Sequence, residues 1–136
     1  MLEYALRCRT LTLCPELVSE SLTHALFECS VNSRAAQYLL DLTKIFDSTV
    51  TREKVLQFQL HTEPLYELPI TAALYSGLCL IWRNRHDKKG TTLYDIRADL
   101  ECLIQALRKS RTRKLKEAGS IISNTLDNFH LNLASL

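Results

Sequence analysis

The scarcity of helix-breaking residues is the strongest constraint on how this chain folds. Only three glycines and three prolines occur in 136 residues, which favours long helices over a strand-rich fold with many turns. The most hydrophobic stretch runs from Pro69 to Trp82 and is apolar on almost every side of a helix. Such a helix is typical of the buried centre of a domain. The sequence therefore predicts an all-α fold built around this segment.

Apolar spacing predicts the helices around that centre. We expect four or five helices in a bundle-like domain, with the central helix over 69–85 packed against helices at 33–47 and 92–108. A shorter helix is expected from Arg52 to Leu60, with Thr51 as its cap. The residues before Pro64 are expected to form a loop, since a residue that precedes proline avoids helical geometry.

The end and the beginning of the chain are less regular. A weaker helical pattern continues after Ser110 to Leu126, interrupted by Gly119, and we expect the residues from about Asp127 onwards to fray. The first part of the chain lacks helical periodicity. We therefore divide the chain into a small irregular Cys/His segment, 1–32, and a helical domain, 33–136.

Composition restricts the environment of the protein. Apolar residues make up 46% and charged residues 24% of the chain, which is ordinary globular usage for one domain. No run of 18 apolar residues occurs, so we expect no membrane span. Five cysteines without regular spacing indicate a reducing, intracellular location, in the nucleus or cytoplasm. The abrupt start, without a leader, suggests a piece of a longer protein.

A cluster of potential metal ligands lies in the first segment. Cys14, His24 and Cys29 form a Cys-x9-His-x4-Cys pattern, and Cys8 precedes it. Cysteine and histidine are the usual ligands of structural zinc, which binds four of them. The pattern predicts a zinc site, and the apolar residues 25–27 inside it could anchor that site to the helical body.

The alternative is that these residues are structural. Cys14 and Cys29 would then be small buried hydrophobes, and His24 a surface residue. A straight α-helix would also point His24 and Cys29 about 140° apart, at about 100° per residue. Both can reach one metal only if the helix ends or unwinds at Cys29.

A basic run lies near the C-terminal end of the domain. Six of its nine residues are Lys or Arg and none is acidic, namely Arg108, Lys109, Arg111, Arg113, Lys114 and Lys116. Such a run could contact several phosphates of RNA or DNA. The alternative is a solvated helix face. Because no aromatic residue interrupts the run, base stacking is not indicated there.

Other candidate residues have simpler interpretations. Trp82, beside Arg83 and Arg85, could form a cation–π contact but is more typical of a core or rim aromatic residue. Cys79 and Cys102 are expected in the core. The acidic residues are dispersed on segments that look structural, and the sequence contains no phosphate loop, nucleophile elbow or paired metal-binding aspartates. We therefore expect no enzymatic activity of this chain alone.

Two blocks of the sequence resemble reverse transcriptases of non-LTR (LINE-type) retrotransposons. The first block, His24-Ala-Leu-Phe-Glu-Cys29 with Cys14 before it, is similar to the zinc-binding segment that follows the polymerase domain in that family. The second is similar to the family's helical tail and comprises Glu67-Leu68-Pro69, Ile81-Trp82 and Leu93-Tyr-Asp-Ile-Arg-Ala-Asp-Leu-Glu101. The two blocks together span most of the chain, from about Cys14 to Leu126.

The resemblance implies a noncatalytic C-terminal piece that helps hold RNA or DNA beside a polymerase domain. It implies zinc as a cofactor, with Cys14, His24 and Cys29 as ligands and Cys8 as a displaced fourth. The chain departs from the family at Leu11, where the first cysteine of the motif would stand, and the polymerase aspartates are absent. The rival hypothesis is a zinc-free helical protein-interaction module or an inactive relic of a retroelement.

Overall fold

Helices make up the fold. The computed structural model describes residues 23–29, 32–86 and 90–134. A π-helical turn, His24–Glu28, comes first, and a short 3-10 turn, Asn84–His86, lies in the middle of the chain. No strand occurs among the described residues, so the predicted all-α class is confirmed. The five α-helices are α1 (Ser33–Lys44), α2 (Arg52–Leu56), α3 (Pro64–Arg83), α4 (Leu93–Arg108) and α5 (Arg113–Ala134).

The apolar helix α3 lies at the centre, as its composition predicted. It packs against α1, α4 and α5, and the π-helical turn also contacts it. A hydrogen bond from the Ser76 hydroxyl to the Asp99 carboxylate, at 2.7 Å, joins α3 to α4. Five of its apolar residues are buried in these contacts, namely Ile70, Ala73, Leu74, Leu78 and Ile81.

The length and composition of α3 would also suit a membrane span. Its most apolar 18-residue window has a mean hydropathy of 1.3, and 39% of that window is buried. The central helix of a soluble protein meets the same criteria, and three other helices cover α3 here. The expectation that the chain does not enter a membrane stays a prediction.

The start of α3 differs from the predicted one. The helix begins at Pro64, five residues before the expected Pro69, because Glu63 is extended (ψ 148°) and proline suits the first helical turn. The loop before Pro64 is confirmed.

The connection from α3 to α4 contains a glycine with an unusual backbone. Gly90 has a positive φ of 65° and does not cap α3 directly. Thr92 and Asp95 form a reciprocal capping box at the start of α4.

Two expectations about α5 were wrong. The break in the pattern falls at 109–112 rather than at Gly119, which lies inside the helix. A Cβ at Gly119 would lie 3.0 Å from Leu107 Cβ, so glycine permits the close crossing of α4 and α5. The end of α5 continues to Ala134 because Phe129 is buried and meets the Tyr38 ring edge-on, with centroids 5.2 Å apart.

A buried carboxylate organises the loop after α1, which ends at Lys44 instead of the predicted 47. Asp47 accepts hydrogen bonds from the Thr49 hydroxyl (2.6 Å), the Thr49 N–H (3.0 Å) and the His61 N–H (2.9 Å). Burial alone would raise the pKa of Asp47, but these bonds and the nearby Lys54 outweigh it and lower the pKa. The ionised carboxylate thus ties both ends of the segment that carries α2.

Replacing Asp47 with asparagine should lower stability in a pH-dependent way. Asparagine cannot accept at both side-chain positions, so we expect the free energy of unfolding to fall by about 1.5–3 kcal/mol at pH 7. Because the pKa of Asp47 is lower in the folded chain, its contribution is present above about pH 4 and is lost as the pH falls through the folded value. Urea unfolding at pH 7 and pH 3 measures this, with the exposed Asp41→Asn as control. An equal loss at both pH values would contradict the account.

Gly77 sets the distance between α3 and α1. A Cβ at this position would lie 2.6 Å from Leu39 Cδ1 and 2.7 Å from Leu39 Cδ2. Leu39 is fully buried, so the tips of its side chain have little room to move away. The absence of a side chain at Gly77 therefore allows the two helices to approach.

Gly77→Ala should destabilise the protein by about 1 kcal/mol. Overpacking costs about 1–3 kcal/mol, and the higher helix propensity of alanine returns at most about 1 kcal/mol. In a Leu39→Ala background the clash is absent, so the same change should stabilise the protein. Chemical denaturation of the four proteins of this cycle measures both effects. If Gly77→Ala changed the free energy of unfolding in the same direction in both backgrounds, the contact with Leu39 would not be what limits packing.

Candidate functional site

The backbone of the Cys/His window forms a π-helical turn. The Cys29 N–H donates to the His24 carbonyl oxygen at 2.7 Å, a bond that spans five residues, and Cys29 itself has an extended backbone (ψ 120°). Turns of this type are rare and are found frequently at functional sites. The sequence could not show this wider turn, because its residues alone fit an ordinary helix.

The π-helical turn changes the relation between His24 and Cys29. In a wider coil, residues five apart lie closer to one face than they do in an α-helix. The helix also ends at Cys29, which is the condition that the metal prediction required. Both residues are buried, which fits the alternative interpretation of Cys29 as a small buried hydrophobe and contradicts its placement of His24 at the surface. The arrangement suits two ligands of one metal.

The apolar residues of the window anchor it to the helical body, as predicted. Leu26 and Phe27 are buried in the hydrophobic core. The guanidinium of Arg52 lies 5.7 Å from the centroid of the Phe27 ring. The Cys29 carbonyl oxygen accepts hydrogen bonds from the N–H groups of Asn32 and Ser33. The turn is thus fixed directly to the start of α1.

The rest of the predicted ligand set cannot be placed. Cys8 and Cys14 lie outside the described residues. Within the described part of the chain, no three His, Cys, Asp or Glu side chains form a group that could hold a metal. The zinc prediction and the division of the chain at residue 32 both stay predictions.

The predicted basic run does not form one helix. It comprises the end of one helix, a turn and the start of the next helix, which we call the basic junction. Arg108 ends α4, residues 109–112 form the turn, and Arg113 begins α5. All six predicted basic residues are exposed. Arg113 forms an ion pair with Glu117 at 3.1 Å, and its side chain is 92% exposed. The cations therefore project from the end of α4, the turn and the start of α5 instead of around one helix.

The charges at this junction reinforce one another. The first turn of α5 contains no acidic residue, although the positive end of a helix dipole favours an acid there. Basic residues occupy it instead, at Arg113, Lys114 and Lys116. Their charges add to the positive potential of the helix start. The junction is consequently suited to attract anions.

A cleft connects the junction to α3. Lys114 and Glu117 of α5 line it together with Pro64, Leu68 and Pro69 of α3, in a space of about 130 Å³. Leu65 borders the next depression along the surface, beside Arg113 and Lys116, and is 58% exposed. Positive and apolar surfaces therefore adjoin at the start of α3.

Several other expected roles change. Cys79 and Cys102 are exposed rather than buried, so their placement in the core was wrong.

The dispersed acidic residues fit the structural interpretation. Asp95 caps α4, and Asp99 accepts a hydrogen bond from the Ser76 hydroxyl. The side chain of His61 is exposed, and the side chains of His86 and His130 lie outside the described set.

An aromatic groove lies on the same outer side of α3 and was missed by the sequence analysis. Its volume is about 220 Å³, and Tyr75, Leu78, Cys79 and Trp82 line it from α3. Across from them lie Leu26, Val55, Leu56 and Phe58. Periodicity assigned Tyr75 and Trp82 to a helix that is apolar all round, so no signal separated this partly exposed side from the buried one.

Both aromatic contacts of the groove are well defined. The Phe58 and Tyr75 rings stack with centroids 5.0 Å apart and planes 27° apart. The Tyr75 hydroxyl donates to the Val55 carbonyl oxygen at 2.6 Å. The Arg85 guanidinium lies 3.9 Å from the centroid of the Trp82 ring and donates to the Trp82 carbonyl oxygen at 2.8 Å. The cation–π contact considered for Trp82 is therefore present, with Arg85 as its partner.

Phe58 occupies an unusual backbone position. Its φ is +57°, at the site after α2 where the Gln59 N–H reaches back to the Lys54 carbonyl oxygen. Glycine normally fills such a helix end, because a Cβ is unfavourable there. The side chain is 76% exposed, so burial does not explain the choice of phenylalanine.

Comparison with known proteins gave no match from which a function could be inferred. No family model, no curated protein and no solved structure matches this chain.

Proposed function

We propose that this chain is a noncatalytic nucleic-acid-binding module, similar to the C-terminal region of a LINE-type reverse transcriptase. One observation carries most of the weight, namely the exposed basic junction between α4 and α5. It concentrates six cations at two helix ends and the turn between them, with no acidic residue among the nine positions of the run. The cleft beside α3 adjoins this surface at Lys114 and also carries Glu117.

The junction would bind the phosphate backbone. Lysine and arginine displace condensed counterions from nucleic acids, which supplies a favourable entropy that falls as salt is added. Contacts of this kind position a nucleic acid without reading its sequence. The module would thus hold RNA or DNA beside the polymerase domain of a parent polyprotein rather than choose a target.

The cofactor proposed for the first segment is one structural zinc ion. The ligands proposed are Cys8, Cys14, His24 and Cys29, of which His24 and Cys29 lie at the two ends of the buried π-helical turn. A thiolate and a neutral imidazole are the usual donors for structural zinc. Leu11 stands where the family motif has its first cysteine, so Cys8 has to serve in its place.

A protein-interaction module without zinc is the second candidate. The exposed Leu65 beside Arg113 and Lys116 favours it, because apolar surface next to charge is common at protein interfaces. Such a module would bind a partner with little dependence on the nucleic acid. The experiments below separate the two candidates.

Changing Arg111, Arg113 and Lys114 together to glutamine should flatten the salt dependence of RNA binding. Each phosphate contact to a single strand contributes about 0.7 to the slope of log affinity against log salt, so the slope should decrease by up to about 2. Fluorescence anisotropy of a labelled oligonucleotide at several salt concentrations measures it.

A matched variant controls for net charge. Arg34, Lys44 and Arg97 are exposed cations on α1 and α4, away from the junction, and their change to glutamine removes the same charge. The slope should remain close to that of the parent protein. Equal slopes in all three proteins, or no binding by the parent, would refute the role of the junction.

Metal analysis tests the zinc site. Protein purified under reducing conditions should contain about one zinc per chain, since a structural site holds one ion on four ligands. Cys14→Ser should lose that zinc, and Cys102→Ser should retain it because Cys102 is an exposed residue of α4. A folded, metal-free parent protein would favour the zinc-free module instead.

A further inference from the structure

We propose that the groove between α2 and α3 binds an unpaired nucleobase, with Phe58 and Trp82 as its stacking surfaces. This rests on the proposed nucleic-acid binding and specifies it as binding to single strands. Stacking on aromatic side chains accepts any base, because every base has a π face. Base pairing in a duplex would keep the bases away from the groove.

The dimensions and lining of the groove suit a planar ring. An apolar cavity of about 150 Å³ holds a benzene molecule in a protein interior, and this groove has a volume of about 220 Å³. Phe58 is largely exposed and its ring already stacks with that of Tyr75. A ring inserted beside Phe58 would therefore continue an existing aromatic stack.

The charge around the groove favours a nucleotide over an uncharged apolar ligand. None of the residues that line it is acidic. The Arg85 guanidinium lies 3.9 Å from the centroid of the Trp82 ring, and that of Arg52 lies 5.7 Å from the centroid of Phe27, which follows the lining residue Leu26. These cations could meet the phosphates attached to a stacked base. An acidic or purely aliphatic lining would have argued against this occupant.

The groove also shares a face of α3 with the basic cleft. Leu68 lines the cleft with Lys114, and Tyr75 and Trp82 line the groove. The three residues are seven apart, about two helical turns, so they lie along one side of α3. Leu68 and Trp82 are separated by about 21 Å at 1.5 Å per residue. One strand of several nucleotides could contact both surfaces.

Phenylalanine costs more backbone energy than glycine would at position 58, where φ is positive, and this supports a role for its ring. A left-handed backbone at a bulky residue is strained and often marks functional positions. Here the strain holds a largely exposed ring over the groove instead of burying it. Glycine would relieve the strain and would remove the ring, which makes Phe58→Gly an informative variant.

Trp82 is the only tryptophan of the chain, so its fluorescence reports on the groove. The probes are an oligothymidylate of about eight nucleotides, an abasic strand of equal length and a duplex of the same sequence. We expect the thymidylate to quench Trp82 and the abasic strand and duplex to bind without quenching. Phe58→Gly should weaken binding of the thymidylate about tenfold and leave the other two affinities unchanged.

Thiol labelling provides a second measurement on the unmodified protein. Cys79 lines the groove and Cys102 does not, and both are exposed. The thymidylate should slow alkylation of Cys79 more than that of Cys102, as measured by peptide mass spectrometry. The abasic strand should not produce this difference.

The outcomes separate this inference from the proposed function. Binding of all three probes with no change at Trp82 or Cys79 would overturn the groove and leave the basic junction intact. Absence of binding to every probe would overturn both. Quenching by a phenylalanine-rich peptide but not by the thymidylate would overturn the inference and assign the groove to a protein partner.

Discussion

The contact between Gly77 and Leu39 determines how closely the central helix packs, and much of the fold follows from it. Because α3 is apolar nearly all round, it has to be covered from several directions. The missing side chain at Gly77 allows α1 to approach one side, and α4 and α5 cover others. Among the described residues, the remaining side is covered by α2 and the π-helical turn, which are both short. That incomplete cover leaves the groove beside Tyr75 and Trp82.

Both candidate surfaces therefore belong to one face of α3. At its start, the basic junction between α4 and α5 lies beside Leu68. At its end, Arg85 and Trp82 border the aromatic groove. Electrostatic attraction acts over a distance of about 10 Å at ordinary salt concentrations, whereas stacking requires direct contact. A strand would be attracted by the junction first and fixed by the groove afterwards.

The sequence predicted the class of the fold and the order of its helices because apolar periodicity and caps are local signals. It could not predict the length of α5, since Phe129 is held by Tyr38, which is distant in sequence. The position of Gly119 was misread for a similar reason. Glycine there indicates a close helix crossing rather than a break.

The candidate sites were predictable only in part. Charge alone located the basic residues, but the junction that presents them depends on where α4 ends. Spacing identified His24 and Cys29, whereas the π-helical turn that relates them depends on the core contacts of Leu26 and Phe27. The groove gave no sequence signal, because Phe58 and Trp82 come together only through the packing of α2 on α3.

Chemical-shift mapping of isotope-labelled protein with a short single strand tests the central claim most directly. The account predicts the largest changes at the amides of residues 108–116, together with Phe58, Tyr75 and the indole N–H of Trp82. The exposed face of α1, around Arg34 and Gln37, should remain unchanged. Changes confined to other surfaces, or a spectrum unaffected by the strand, would contradict the account.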